Sequence, residues 1–218
     1  MPKREAQTLY KELMEEVKER FLLIDRALIG HFDMPPSFIR EICYLQLRML
    51  CEIVALACLV AHGDAVRRAA KSWSAEEMMQ ELEKLNPKFY PQPVTINVRL
   101  NADGSLHGAD FEHNKTNWLS KGALLKFYGK SGRRLHRGSL KKLLSAEAAE
   151  EAHAQAMAEI TDITTQFKRL LESHLIATAD MKSIMVCALV NASTGGAAWV
   201  IHGLVQPHAK SSSAPAPT

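Results

Sequence analysis

At 218 residues, 47% of them hydrophobic, the chain suits one domain with a sizeable core, and its formal net charge is only +3. Its four cysteines, Cys43, Cys51, Cys58 and Cys187, include no C-x-x-C pair, which excludes a zinc or redox site of that kind. A disulfide framework does not suit a chain of this size either, so the cysteines read as small core hydrophobes in a reducing cytoplasm.

The N-terminal stretch MPKREAQTLYKELMEEVKER is charged throughout and is not read as a signal peptide. Residues 4–29 have the period of an amphipathic helix, with Leu9, Leu13, Val17, Phe21, Ile24 and Leu28 on one stripe. Gly30 ends it, and Asp33-Met34-Pro35-Pro36 makes a turn. Ser37 is placed to cap a second helix that runs to about His62, where His62 and Gly63 suggest a C-terminal cap. Its most apolar run, Met49 to Ala61, is thirteen residues interrupted by Glu52. That is too short to cross a bilayer, so the segment reads as a buried central helix and no membrane is expected. Arg48 and Glu52 stand four apart on it and point the same way. They read either as a buried ion pair that fixes packing or as a functional pair below a cleft.

A third helix opens at Ser74, where Ser74 and Glu77 form a capping box, and stops at Asn86-Pro87. Val94, Ile96, Val98 and Leu100 then alternate with polar residues, and Asp103-Gly104 is a tight-turn signal. Residues 94–111 therefore predict a β-hairpin. Helix returns at about 118–128, and Gly129, Gly132 and Gly138 break the following run into loops and one short helix. Ser145 can cap a long helix over 146–175, with a seam through Ala149, Ala152, Ala156, Ile160, Ile163, Phe167, Leu170 and His174. Residues 184–190 and 197–205 are apolar runs joined by a Gly195-Gly196 turn, and they read as strands. From Gln206 the Ser, Ala and Pro composition is that of a disordered tail.

The predicted fold class is thus α+β: mainly a helical bundle around an apolar central helix, with a small antiparallel sheet from two hairpins. A single domain spans 1–205, helical over 4–85 and 115–175 and with strands at about 94–111 and 184–205. Residues 206–218 form the tail.

Residues 115–146 carry nine Lys or Arg and no Asp or Glu. Within them Lys126, Lys130, Arg133, Arg134, His136, Arg137, Lys141 and Lys142 make a basic run whose glycines would let a backbone approach closely. Converging cations of this kind suit a phosphate-bearing partner, RNA or a nucleotide, and Phe127 and Tyr128 could offer a stacking face. A solvated face balancing Glu147, Glu150 and Glu151 of the next helix is the plainer reading of the same run. The sequence contains no P-loop, G-x-S-x-G, G-x-G-x-x-G or H-E-x-x-H motif, so neither cofactor nor metal is expected.

The long helices around one very apolar helix, with a late K-S-x-x-x-H element (Lys130, Ser131, His136), resemble bacterial HEPN-superfamily proteins over residues 5–175. That resemblance implies RNA association, in either of two forms. Some members are RNA-cleaving toxins or antiphage proteins with an R-x(4–6)-H signature on a late helix, and others are inactive nucleotide- or RNA-binding versions. Arg26/His31 and Arg169/His174 fit the spacing, but the first falls at the end of the first helix and the second divides its residues between seam and flank. The favoured expectation is therefore a cytoplasmic RNA- or nucleotide-phosphate-binding protein of a defence or stress system, without catalysis. One alternative is a metal-independent ribonuclease using His136 or His174 with Arg169. The other is an interaction module, a homodimer through the 146–175 seam.

Overall fold

A helix apolar on nearly every face must be covered on nearly every face, and residues 36–62 impose that requirement on the rest of the chain. The computed structural model describes residues 3–63, 74–135, 147–179, 182–190 and 196–205. Among them are five helices: α1 (Lys3–Leu28), α2 (Pro36–His62), α3 (Ala75–Leu85), α4 (Lys121–Leu135) and α5 (Glu147–Leu171). The other four all pack on α2, where Cys43, Leu47, Leu50, Cys51, Val54 and Cys58 are fully buried. By length and composition α2 could cross a bilayer, yet 56% of its most apolar window is buried within the chain. All four cysteines are buried free thiols. Burial pushes the thiol of Cys43 up to about 11 and that of Cys187 up to about 12, so both stay protonated.

Five antiparallel strands, β1 (Gln92–Leu100), β2 (Leu106–His113), β3 (Ser173–Ala177), β4 (Ser183–Ala188) and β5 (Trp199–Leu204), form one sheet in the order β2-β1-β3-β4-β5. The α+β class stands, but the sheet is larger than two hairpins, because β3 lies where the seam predicted helix. The last helical bond runs from Glu172 N–H to the Lys168 carbonyl at 2.8 Å, and Leu189 N–H then donates to the Glu172 carbonyl. His174 misled the periodicity for a simple reason. It is four residues from Leu170, as a helix requires, and it also begins the inward alternation His174, Ile176, Thr178 of a strand.

Three other expectations shift. The buried stripe of α1 is Tyr10, Met14, Val17, Phe21 and Ile24, while Leu9 is 36% exposed and Leu13 and Leu28 flank the core. The extended residue before α2 is Pro35 and not Ser37, and Pro36 occupies the first turn, where a missing N–H costs nothing. Gly129 and Gly132 lie inside α4, which runs on to Leu135, since packing on α2 outweighs about 1 kcal/mol of glycine cost per residue. Several elements are as read. Ser74 Oγ accepts from Glu77 N–H at 3.2 Å, Gly30 and Gly63 take positive φ at the ends of α1 and α2, and Gly104 does so in the hairpin turn. On α5, Ala156, Ile160, Phe167 and Leu170 are buried. The Ser145 cap, most of the 191–196 turn, Gly138 and the 206–218 tail lie outside the described residues.

β1 serves two partners. Gln92 and Pro93 pair with Leu175 and His174 of β3, whereas Val94 to Leu100 pair with β2. Beyond Val94 no β1 side chain is buried, and Val98 and Leu100 are exposed, so the hairpin leaves the body as a two-stranded arm. Replacing residues 96–111 by a short turn should therefore leave the folded body intact. The expected loss is under about 1 kcal/mol, a fall of roughly 2–4 °C in Tm. A larger fall in a thermal melt would mean that the arm supports the core.

Candidate functional site

α4 starts after Ser120, whose Oγ accepts from Ala123 N–H at 3.3 Å. Leu124, Phe127, Tyr128 and Ser131 turn inward onto α2. Helical geometry then carries Lys126, Lys130, Arg133 and Arg134 to the outside, where Lys126, Arg133 and Arg134 are exposed and Lys130 is half-buried. The basic run is thus partly a helix face and not the glycine-broken loop expected. Its remaining members His136, Arg137, Lys141 and Lys142 lie outside the described residues. Phe127 and Tyr128 are both buried, so neither offers a face to a base: Phe127 stacks on Tyr44 at 6.2 Å, and Tyr128 lies under Arg48.

A single carboxylate among the described residues reaches these cations. Glu159 of α5 is ion-paired with Lys130, lies 3.9 Å from Arg134 and accepts a 2.8 Å hydrogen bond from the Tyr44 hydroxyl of α2. Burial, and then the Glu159 carboxylate, push the Tyr44 pKa far above its ordinary value, so the hydroxyl remains a donor. Arg40 and Arg134 both act electrostatically on that hydroxyl. Lys126, Arg133 and Arg40 have no ion pair among the described residues. Sequence reading missed Glu159, Tyr44 and Arg40. The one available signal was Tyr44 itself, because a tyrosine in a largely apolar helix must find a partner for its hydroxyl.

Arg48 and Glu52 form the expected pair, with Nε to Oε1 at 3.6 Å, but about a quarter of each side chain is exposed (27% and 25%). It is a partly solvated pair and not a buried one. Tyr128 completes it: the Arg48 guanidinium sits 3.8 Å over the Tyr128 ring, its Nη1 donates to the Tyr128 carbonyl at 3.0 Å, and the Tyr128 hydroxyl donates to Glu52 at 3.0 Å. Gly132 permits this approach, since a Cβ there would lie 3.1 Å from Arg48 Nη1.

The two Arg/His spacings fall in different settings. Arg26 and His31 are exposed on either side of the α1 terminus. Arg169 is exposed on α5 and donates to the Asn117 carbonyl at 3.2 Å. His174 is fully buried in β3, where its Nδ1–H donates to the Leu171 carbonyl at 3.0 Å and its Nε2 accepts from the Tyr10 hydroxyl at 2.6 Å. The carbonyl can only accept, which fixes the neutral tautomer. His62 is held in the same way: Nδ1–H donates to the Cys58 carbonyl at 2.7 Å and Nε2 accepts from Asn86 at 3.1 Å. No group of three or more His, Cys, Asp or Glu able to hold a metal occurs among the described residues.

Fold and site together define an α+β protein in which the outer face of α4 is basic. Comparison with known protein families, with characterised proteins and with solved structures finds no match.

Two expected outcomes follow from this geometry. Glu52→Leu should destabilise by about 1–2 kcal/mol, below the 3–5 kcal/mol of a fully buried pair, because Arg48 keeps water, the Tyr128 ring and a carbonyl. Chemical denaturation measures it, and a loss above that range would place the pair in the interior. The second outcome concerns pH. Burial lowers His174 to about 4 and also lowers His62, so the native state binds fewer protons than the unfolded chain. The histidine contribution is therefore complete above the ordinary value of about 6.5 and is lost as pH falls towards 4, at roughly 3 kcal/mol for His174. Tm should fall over that window, and a flat profile for wild type would contradict the neutral buried pair.

Proposed function

We propose that the chain is a cytoplasmic, non-catalytic binder of phosphate groups carried by RNA or a nucleotide, acting in a defence or stress system. Its contact surface is the outer face of α4 together with the basic residues 136–142 that follow. One observation carries the reading: Lys126, Lys130, Arg133 and Arg134 of α4 face outward and one carboxylate, Glu159, opposes them among the described residues, while Lys121 at the start of the helix is paired with Glu83. Lys126 and Arg133, seven residues apart and therefore on one helix face, are left to solvent. A phosphodiester chain supplies the missing negative charge in a form that Arg and Lys bind directly. Within the HEPN resemblance, this reading corresponds to an inactive RNA- or nucleotide-binding version. The burial of His174, with both ring nitrogens occupied, favours binding over cleavage.

Fluorescence anisotropy with a labelled single-stranded RNA provides the test. Affinity should fall steeply between ~50 and ~200 mM salt, and Lys126→Ala with Arg133→Ala should reduce the slope of log K against log salt by about 1.4, two cations at about 0.7 each. Competition by ATP separates a nucleotide site from a backbone site. Equal retention of RNA by wild type and the double variant would overturn the assignment to α4.

A further inference from the structure

Three helices meet at Glu159. Arg40 and Tyr44 come from α2, one turn apart, and Lys130 and Arg134 come from α4, also one turn apart, while Glu159 comes from α5. The cluster thus brings two cations and a hydroxyl donor around one carboxylate, an excess of positive charge, with Arg40 near enough to act on the Tyr44 hydroxyl. Glu159 is 20% exposed, Lys130 39% and Arg134 41%, so solvent reaches all three. Ion pairs this exposed are weak, at most about 1 kcal/mol each, and can be exchanged for another anion.

We propose that Glu159 is an internal competitor for the ligand's phosphate, occupying Lys130 and Arg134 until a phosphate displaces it. This rests on the reading of α4 as a phosphate-binding face and adds to it a specific subsite and a built-in brake. The chemistry matches, because a carboxylate and a phosphate present the same kind of acceptor oxygens to the same donors. The Tyr44 hydroxyl gives the exchange its second position. Its hydrogen bond to Glu159 does not depend on Lys130 or Arg134, so the carboxylate keeps a partner when the cations turn to the ligand. Arg40, with no ion pair among the described residues, stands on the same side of α2 and adds to the field that draws the phosphate.

Glu159→Gln tests the proposal, since glutamine keeps an acceptor for Tyr44 and removes the charge. With a labelled single-stranded RNA at ~50 mM salt, the variant should bind about tenfold tighter than wild type, and its salt slope should be steeper by about 1.4, the two released cations. ATP measured alongside distinguishes the source of the phosphate: a gain for RNA alone assigns a polymer backbone, and a gain for ATP assigns a nucleotide. Wild type that binds RNA or ATP, with Glu159→Gln binding no tighter, would overturn the competitor while leaving the binding face intact. If neither protein binds either probe, the binding face falls and the competitor with it. Should Glu159→Gln lose its cooperative thermal transition, Glu159→Asp decides. It keeps the charge but is one methylene shorter, so a gain of about threefold is expected and no gain overturns the proposal.

Discussion

The burial of α2 is the constraint on which the other elements depend. Each of its large aliphatic side chains contributes about 1.5–3 kcal/mol on leaving water, and they point in nearly every direction around the helix. No single partner can cover such a surface, so α1, α3, α4 and α5 all pack on it. The same constraint sets the charge distribution. Once Leu124, Phe127, Tyr128 and Ser131 have turned towards α2, the rotation of an α-helix leaves Lys126, Lys130, Arg133 and Arg134 outside. The basic face is thus a consequence of core packing as much as of composition.

Where helices meet sheet, the core is not purely apolar, and two chains of hydrogen bonds pair its buried imidazoles. Tyr10, His174 and the Leu171 carbonyl form one chain of hydrogen bonds, linking α1 to β3 and the end of α5. His62, Asn86 and the carbonyls of Cys58 and Ala177 form another, linking α2, the end of α3 and β3. Every donor in these chains has an acceptor, so their burial costs little while both imidazoles are neutral. β3 is the strand common to both.

Charge near the surface follows a different rule. Arg48, Tyr128 and Glu52 hold one another through a cation over a ring, a backbone carbonyl and a hydroxyl, and Glu159 gathers Lys130, Arg134 and Tyr44. In both clusters a tyrosine from the neighbouring helix orients the carboxylate. Partial solvation keeps each pair weak enough to be rearranged and ordered enough to define a direction.

The sequence by itself determined the approximate place of the helices but not all their ends, the central place of α2, the hairpin around 94–111, the later strands, the inert cysteines and the absence of the common cofactor and metal motifs. These depend on local period, on turn residues and on composition, which a chain carries in its own order. Tertiary structure decided that β3 exists, that Tyr10 and Met14 displace Leu9 and Leu13 in the core, and that α4 continues through Gly129 and Gly132. It also brought Glu159 to the basic face, 29 residues beyond Lys130. The physical reason is common to all four. A residue such as His174 or Glu159 satisfies more than one local pattern, and only the partner that folding places opposite it, Tyr10 in one case and Lys130 with Tyr44 in the other, selects between them.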